Sequence, residues 1–213
     1  MHIAEYHRQE IIKKYLSKEL SELEIPIFPS EPFNITETFS GILADAVSST
    51  YIRSSKRRKL ALHLFRKLLS ATESYIAGEE DLLKFIQSRD DIFVYLKAVS
   101  AFENCITESW RFLDCLRSFP LQDDKKPLNI FEYDSDNIYS RINLIYNNSI
   151  KHVAAKDRLF GDTDAILPLW LNDDSIKTEE AHISYLELFD AINRQFRILS
   201  DLIAFEERDW LDW

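Results

Sequence analysis

The residues best suited to do chemistry sit together in one stretch, SRINLIYNNSIKHVAAK, residues 140–156. His152 carries the one side chain here whose ordinary pKa lies near neutral. It can take a proton from an RNA 2′-hydroxyl or give one to a leaving oxygen. Asn148, four residues earlier, is its neighbour on a helix and can orient the imidazole or hold a phosphate oxygen. Lys151 and Arg141 can offset phosphate charge. Asn147 forms a second four-residue pair with Lys151. Such chemistry would need no metal. The same residues also have a plainer use, since His and Asn on amphipathic helices commonly cap neighbouring segments or bridge helices.

The stretch reads as a helix. At about 100° per residue, Ile142, Ile145, Tyr146, Ser149, Ile150 and Val153 share a face that packs inward. Arg141, Asn148 and His152 line its edge, beside a packed stripe where a groove or a subunit contact can be built.

Composition narrows the field. The chain has 213 residues, enough for one good core with a small appendage. Hydrophobic residues make up 46%, which excludes a disordered chain. Three Gly and six Pro argue against a turn-rich β fold, and no Gly-rich phosphate loop is present. A net charge of -10 repels nucleic acid unless a local basic patch overrides it. The run Lys56–Lys59 is such a patch. It opens a helix, where positive charge opposes the macrodipole; it is either a solvated helix start or a contact for an anion such as RNA or phosphate. Cys105 and Cys115 fall on one helix about 15 Å apart, too far to bridge. No C-x-x-C, signal peptide or membrane-length apolar run is present, which reads as a cytoplasmic protein without metal or cofactor.

Periodicity supplies the remaining elements. Residues 4–22 read as a polar helix, followed by an extended linker through EIPIFPSEP. Asn34 with Glu37 forms a capping box for a helix to about Ser49. A helix carrying Leu60, Leu64, Phe65 and Leu68 is expected to end at Gly78, with a short helix after it. A long helix presents Ala98, Phe102, Cys105, Ile106, Leu113 and Leu116 on one buried face, and Pro120 ends it. Ser135 or Asp136 is a candidate N-cap for the helix at 140–156. The segments ILPLWL and IKT flank the turn-like NDDS and suggest a β-hairpin near residues 165–180. Ser184 with Glu187 forms a capping box for a last helix, Tyr185 to Phe205. Trp210 and Trp213, in an acidic tail, can dock on the core or on a partner.

This layout resembles the HEPN superfamily of small α-helical proteins. The long helix YLKAVSAFENCITESWRFLDCLRSF and the later SRINLIYNNSIKHVAAKD carry the resemblance, with NNSIKH where the family has its R-x4-6-H motif. The likeness spans about residues 90–205. It implies an all-α antiparallel bundle, with residues 81–213 as the HEPN-like core; residues 1–80, which the likeness does not cover, read as a helical extension packed on it. It also implies a homodimer whose motif helices face each other, in a defence or toxin–antitoxin setting, with RNA, a nucleotide or a cognate protein as partner and no membrane. His152 matches the motif His, and Asn148 the polar residue after the motif Arg. The Arg itself is replaced by Asn147. Arg141 lies eleven residues, about 16 Å, from His152 and cannot share a phosphate with it in one chain; across an antiparallel dimer it would approach the partner's His152. Lys151 points away and is a point charge rather than a fork. Glu103 is a candidate holder for one of these cations, or a plain surface carboxylate. The resulting expectation is a non-catalytic module for binding or dimerisation. The alternative is a divergent metal-independent ribonuclease using His152 as acid/base.

Overall fold

In the computed structural model, residues 23–33, 39–42, 44, 55–88, 91–118, 137–151, 169–178 and 180–204 are described. The expected helix 4–22, the Asn34–Glu37 cap, Pro120, His152, Val153, Trp210 and Trp213 lie outside them, as do the side chains of Lys56, Arg57 and Arg58. Among the described residues, 39–42 and 44 are helical, and the longer helices are α1 (Ser55–Ser88), α2 (Ile92–Ser118), α3 (Ile138–Ile145), which continues as a π-helical segment (Tyr146–Lys151), and α4 (Tyr185–Ala204). Three short strands, β1 (Trp170–Leu171), β2 (Ser175–Lys177) and β3 (His182–Ser184), precede α4. The fold is therefore mainly helical with a small sheet.

The long helix pair α1 and α2 forms the main contact, and α4 packs on α1. The periodicity reads true here. Leu60, Leu64 and Leu68 are buried on α1, and Ala98, Phe102, Cys105, Ile106, Leu113 and Leu116 are buried on α2. Burial of this kind is the main term holding such helices together. Cys105 and Cys115 are free thiols on one helix, and burial pushes both upward in pKa.

One expectation fails instructively. α1 does not stop at Gly78 but runs through it to Ser88. Gly78 serves packing instead. A Cβ there would lie 2.8 to 3.0 Å from ring atoms of Phe102 on α2. The missing side chain lets the ring lie against the helix backbone, and the cost of a glycine inside a helix is offset by that close approach.

The linker EIPIFPSEP is non-helical, as its prolines require, but it is also a strap. Leu23 is buried, and the Phe28 ring lies 4.6 Å from that of Tyr185. The Phe33 ring lies 5.3 Å from Tyr75 and 4.2 Å from Phe189. Two amides tie the strap to the hairpin turn: Glu24 donates to Asp173 Oδ1 (2.7 Å) and Ile27 to the Asp173 carbonyl (2.9 Å).

The hairpin forms with β1 and β2 antiparallel, Leu171 opposite Ile176. It extends beyond the expected range, because β3 adds to β2 with Ile176 opposite Ile183. A strand of three residues is too short to alternate recognisably, and its last residue doubles as the helix cap. That cap is the expected capping box: the Ser184 amide donates to Glu187 (2.9 Å), and the Glu187 amide to Ser184 Oγ (3.1 Å).

Candidate functional site

The site is the margin of α3 and its π continuation, where α3 meets α2, β3 and α4. Asn137 caps α3, its Oδ1 accepting from the Tyr139 amide at 2.9 Å. The expected caps, Ser135 and Asp136, lie outside the described residues, and Asn137 has the extended backbone an N-cap needs. Ile142, Ile145 and Ser149 are buried, and Tyr146 and Ile150 are partly buried against the core. The inward face is as the helical wheel placed it.

The geometry changes at Tyr146. From there to Lys151 the helix is π rather than α. The side-chain amide of Asn147 donates to the Asn143 carbonyl (3.0 Å) and to Asn143 Oδ1 (2.8 Å). Such local side-chain bonds compete with the helical ladder. Asn143 Oδ1 also accepts from the Trp110 indole on α2 (2.8 Å), and the Trp110 and Tyr146 rings stack 4.0 Å apart. Asn147 is therefore turned into a small cluster with Asn143, Trp110 and Tyr146. It does not pair with Lys151, because the four-residue register of an α-helix does not hold across a π turn. Lys151 is exposed at the end of that turn.

Arg141, a candidate phosphate contact, has partners within the chain. Its Nη2 meets Glu187 Oε1 at 2.6 Å, its Nη1 meets Glu187 Oε2 at 3.2 Å, and Nη1 also donates to the His182 carbonyl at 3.1 Å. This is a two-pronged pair of the strongest kind, spent inside the chain. The hydrogen bonds from Arg141 hold the Glu187 carboxyl down at about pKa 2, with the Ser184 cap adding to the effect. The holder of Arg141 is thus Glu187. Glu103 is half-buried, and desolvation raises its pKa. Asn148 donates from Nδ2 to Glu180, in the turn between β2 and β3.

Of the predicted row, Arg141 and Asn148 both lie along the margin facing the sheet, each against a carboxylate. Asn147 turns to the other flank, towards α2. His152 lies outside the described residues. Trp110, Asn143, Glu180 and Glu187 complete the site, and the sequence reading missed all four. Glu187 was legible as a cap, but its bond to Arg141 spans 46 residues and leaves no local trace. Among the described residues, no group of three or more His, Cys, Asp or Glu is placed to hold a metal ion, and no helix is long and apolar enough to cross a membrane.

Comparison with protein-family models, with curated proteins and with solved structures finds no match.

Proposed function

We propose that this chain is a HEPN-like helical module that acts by binding and does not cleave RNA. The observation that carries the reading is the engagement of Arg141. A ribonuclease site on α3 needs a cation to meet phosphate, and both terminal nitrogens of this guanidinium are held by Glu187. Asn148 lies on Glu180, so a second carboxylate stands along the margin beside that of Glu187. In a chain of net charge -10 that field disfavours an RNA backbone and favours a protein partner.

The second reading, a divergent metal-independent ribonuclease, is favoured by one feature. The motif position is π-helical, and single π turns in helices occur frequently at functional sites. In that reading His152 is the acid/base, Asn148 its orienter and the exposed Lys151 the phosphate contact.

An RNA cleavage assay with chelator present, wild type beside His152→Ala at matched purity, separates the two. The binding-module reading expects no cleavage, or equal trace cleavage in both. Cleavage by wild type that disappears in His152→Ala would replace it with the ribonuclease.

A further inference from the structure

The outer face of α1 has a charge order that no step above uses. Residues 55–72 hold Lys56, Arg57, Arg58, Lys59, Arg66 and Lys67 and no Asp or Glu, whereas Glu73, Glu79, Glu80 and Asp81 follow in the second half of the helix, with Lys84 after them; of these, Lys67 is turned to Glu108 on α2 (2.8 Å) and is not part of the outer face. Side chains on one helical stripe recur every three to four residues. The stripe opposite the buried Leu64, Leu68 and Ala71 runs Lys59, Leu62, Arg66, Glu73, Ala77, Glu80, and all six are exposed. Leu62 is 55% exposed.

These six positions are symmetric about the midpoint between Leu69 and Ser70. Turning a second α1 antiparallel about that point sets Lys59 against Glu80, Leu62 against Ala77 and Arg66 against Glu73. A two-fold axis then repeats each pair, so two copies make four opposite-charge contacts and two apolar ones along about 31 Å of helix. Self-complementarity of this kind is what an isologous dimer requires. We infer that a second copy of this chain docks on α1, antiparallel, through Lys59, Leu62, Arg66, Glu73, Ala77 and Glu80.

The occupant follows from charge complementarity. A nucleic acid would use the basic half and be repelled by the acidic half, whereas an inverted copy satisfies both. In the single chain Glu80 meets Lys84 at 3.5 Å, an exposed pair that leaves the carboxylate available. The HEPN resemblance points to pairing through α3. The α1 seam is a separate surface and does not rest on that reading.

The test is the mass of the full chain by sedimentation at low and high salt, with charge-swapped variants at surface positions that leave the core intact. Wild type should dimerise at low ionic strength and dissociate as salt screens the pairs. Arg66→Glu alone and Glu73→Arg alone each place like charges opposite and should weaken association about tenfold or more. The double variant Arg66→Glu/Glu73→Arg restores opposite charges and should recover the dimer. So should mixing the two single variants, each of which stays monomeric alone. A wild type that is monomeric at every concentration and salt overturns the proposal. So does a double variant as impaired as the singles, which is also the pattern expected if the basic half of α1 binds RNA.

Discussion

Tyr75, Tyr95 and Tyr185 carry three hydroxyls into the interior; Arg141, Asn147 and Asn148 carry a guanidinium and two amides along its margin. The tyrosine hydroxyls all bond backbone. Tyr75 donates to the Tyr185 carbonyl (3.0 Å), Tyr185 donates to the Asn172 carbonyl (2.7 Å), and Tyr95 accepts from the Leu171 amide (3.0 Å). They pin α1 to the start of α4, and α2 and α4 to the hairpin, and Phe28, Phe33 and Phe102 fill the space between the rings. Burial raises the pKa of Tyr75 and Tyr185 far above the ordinary phenol range, so they stay neutral donors. On α3, by contrast, Arg141 and Asn148 bond mainly carboxylates that reach solvent. The first region spends polar atoms on holding the backbone. The second spends them on carboxylates nearer the surface, the Arg141 side chain being 17% and the Glu187 side chain 42% exposed. That difference marks α3 as the place to look for function and the tyrosine junction as the place to look for stability.

The largest effect should come from the junction's packing. Phe102→Ala should cost about 3–5 kcal/mol of unfolding free energy, read from the denaturant midpoint. Gly78→Ala should cost about 1–3 kcal/mol by overpacking the same ring. Were Gly78 only a helix irregularity, alanine would instead stabilise by up to about 1 kcal/mol. Phe102→Leu in the Gly78→Ala background should recover part of the loss.

Tyr95→Phe is the next largest. It keeps the ring but leaves the Leu171 amide without this acceptor in a buried site, at about 1–3 kcal/mol. Amide exchange at Leu171 should accelerate in the variant, and unchanged exchange would show that the hydroxyl does not hold the hairpin.

The margin should respond more weakly and through pH. Glu187 has a folded pKa of about 2 against an ordinary 4.5. Its contribution is complete above the ordinary value and is lost as pH falls towards and through about 2. The Glu187 side chain is 42% exposed, so screening keeps the effect modest. Glu187→Gln should therefore flatten the acid limb of the stability profile below about pH 4.5 while changing neutral stability by no more than about 1 kcal/mol. An acid limb as steep as in wild type would mean that the Arg141 pair is not maintained in solution.

Much of the fold was legible because its signals are local. Leucines at three- and four-residue spacing marked the buried faces of α1 and α2. The Ser184–Glu187 box marked the start of α4, and NDDS marked the hairpin. The candidate site was less legible. The sequence placed Arg141, Asn147 and Asn148 on one helix, yet an ideal wheel could not foresee the π turn, which follows from the bonds among Asn147, Asn143 and Trp110.

What the sequence determined by itself was helical content, the inward faces and the Ser184–Glu187 cap, because each depends on residues within one or two turns of each other. Tertiary structure decided what those elements do. Gly78 became a packing contact only once Phe102 lay across it from another helix. Arg141 became an internal strut because Glu187, remote in the chain, arrives beside it. A side chain's local conformation depends on its neighbours in sequence, but whether its charge is free to act depends on what folding brings within 3 Å of it.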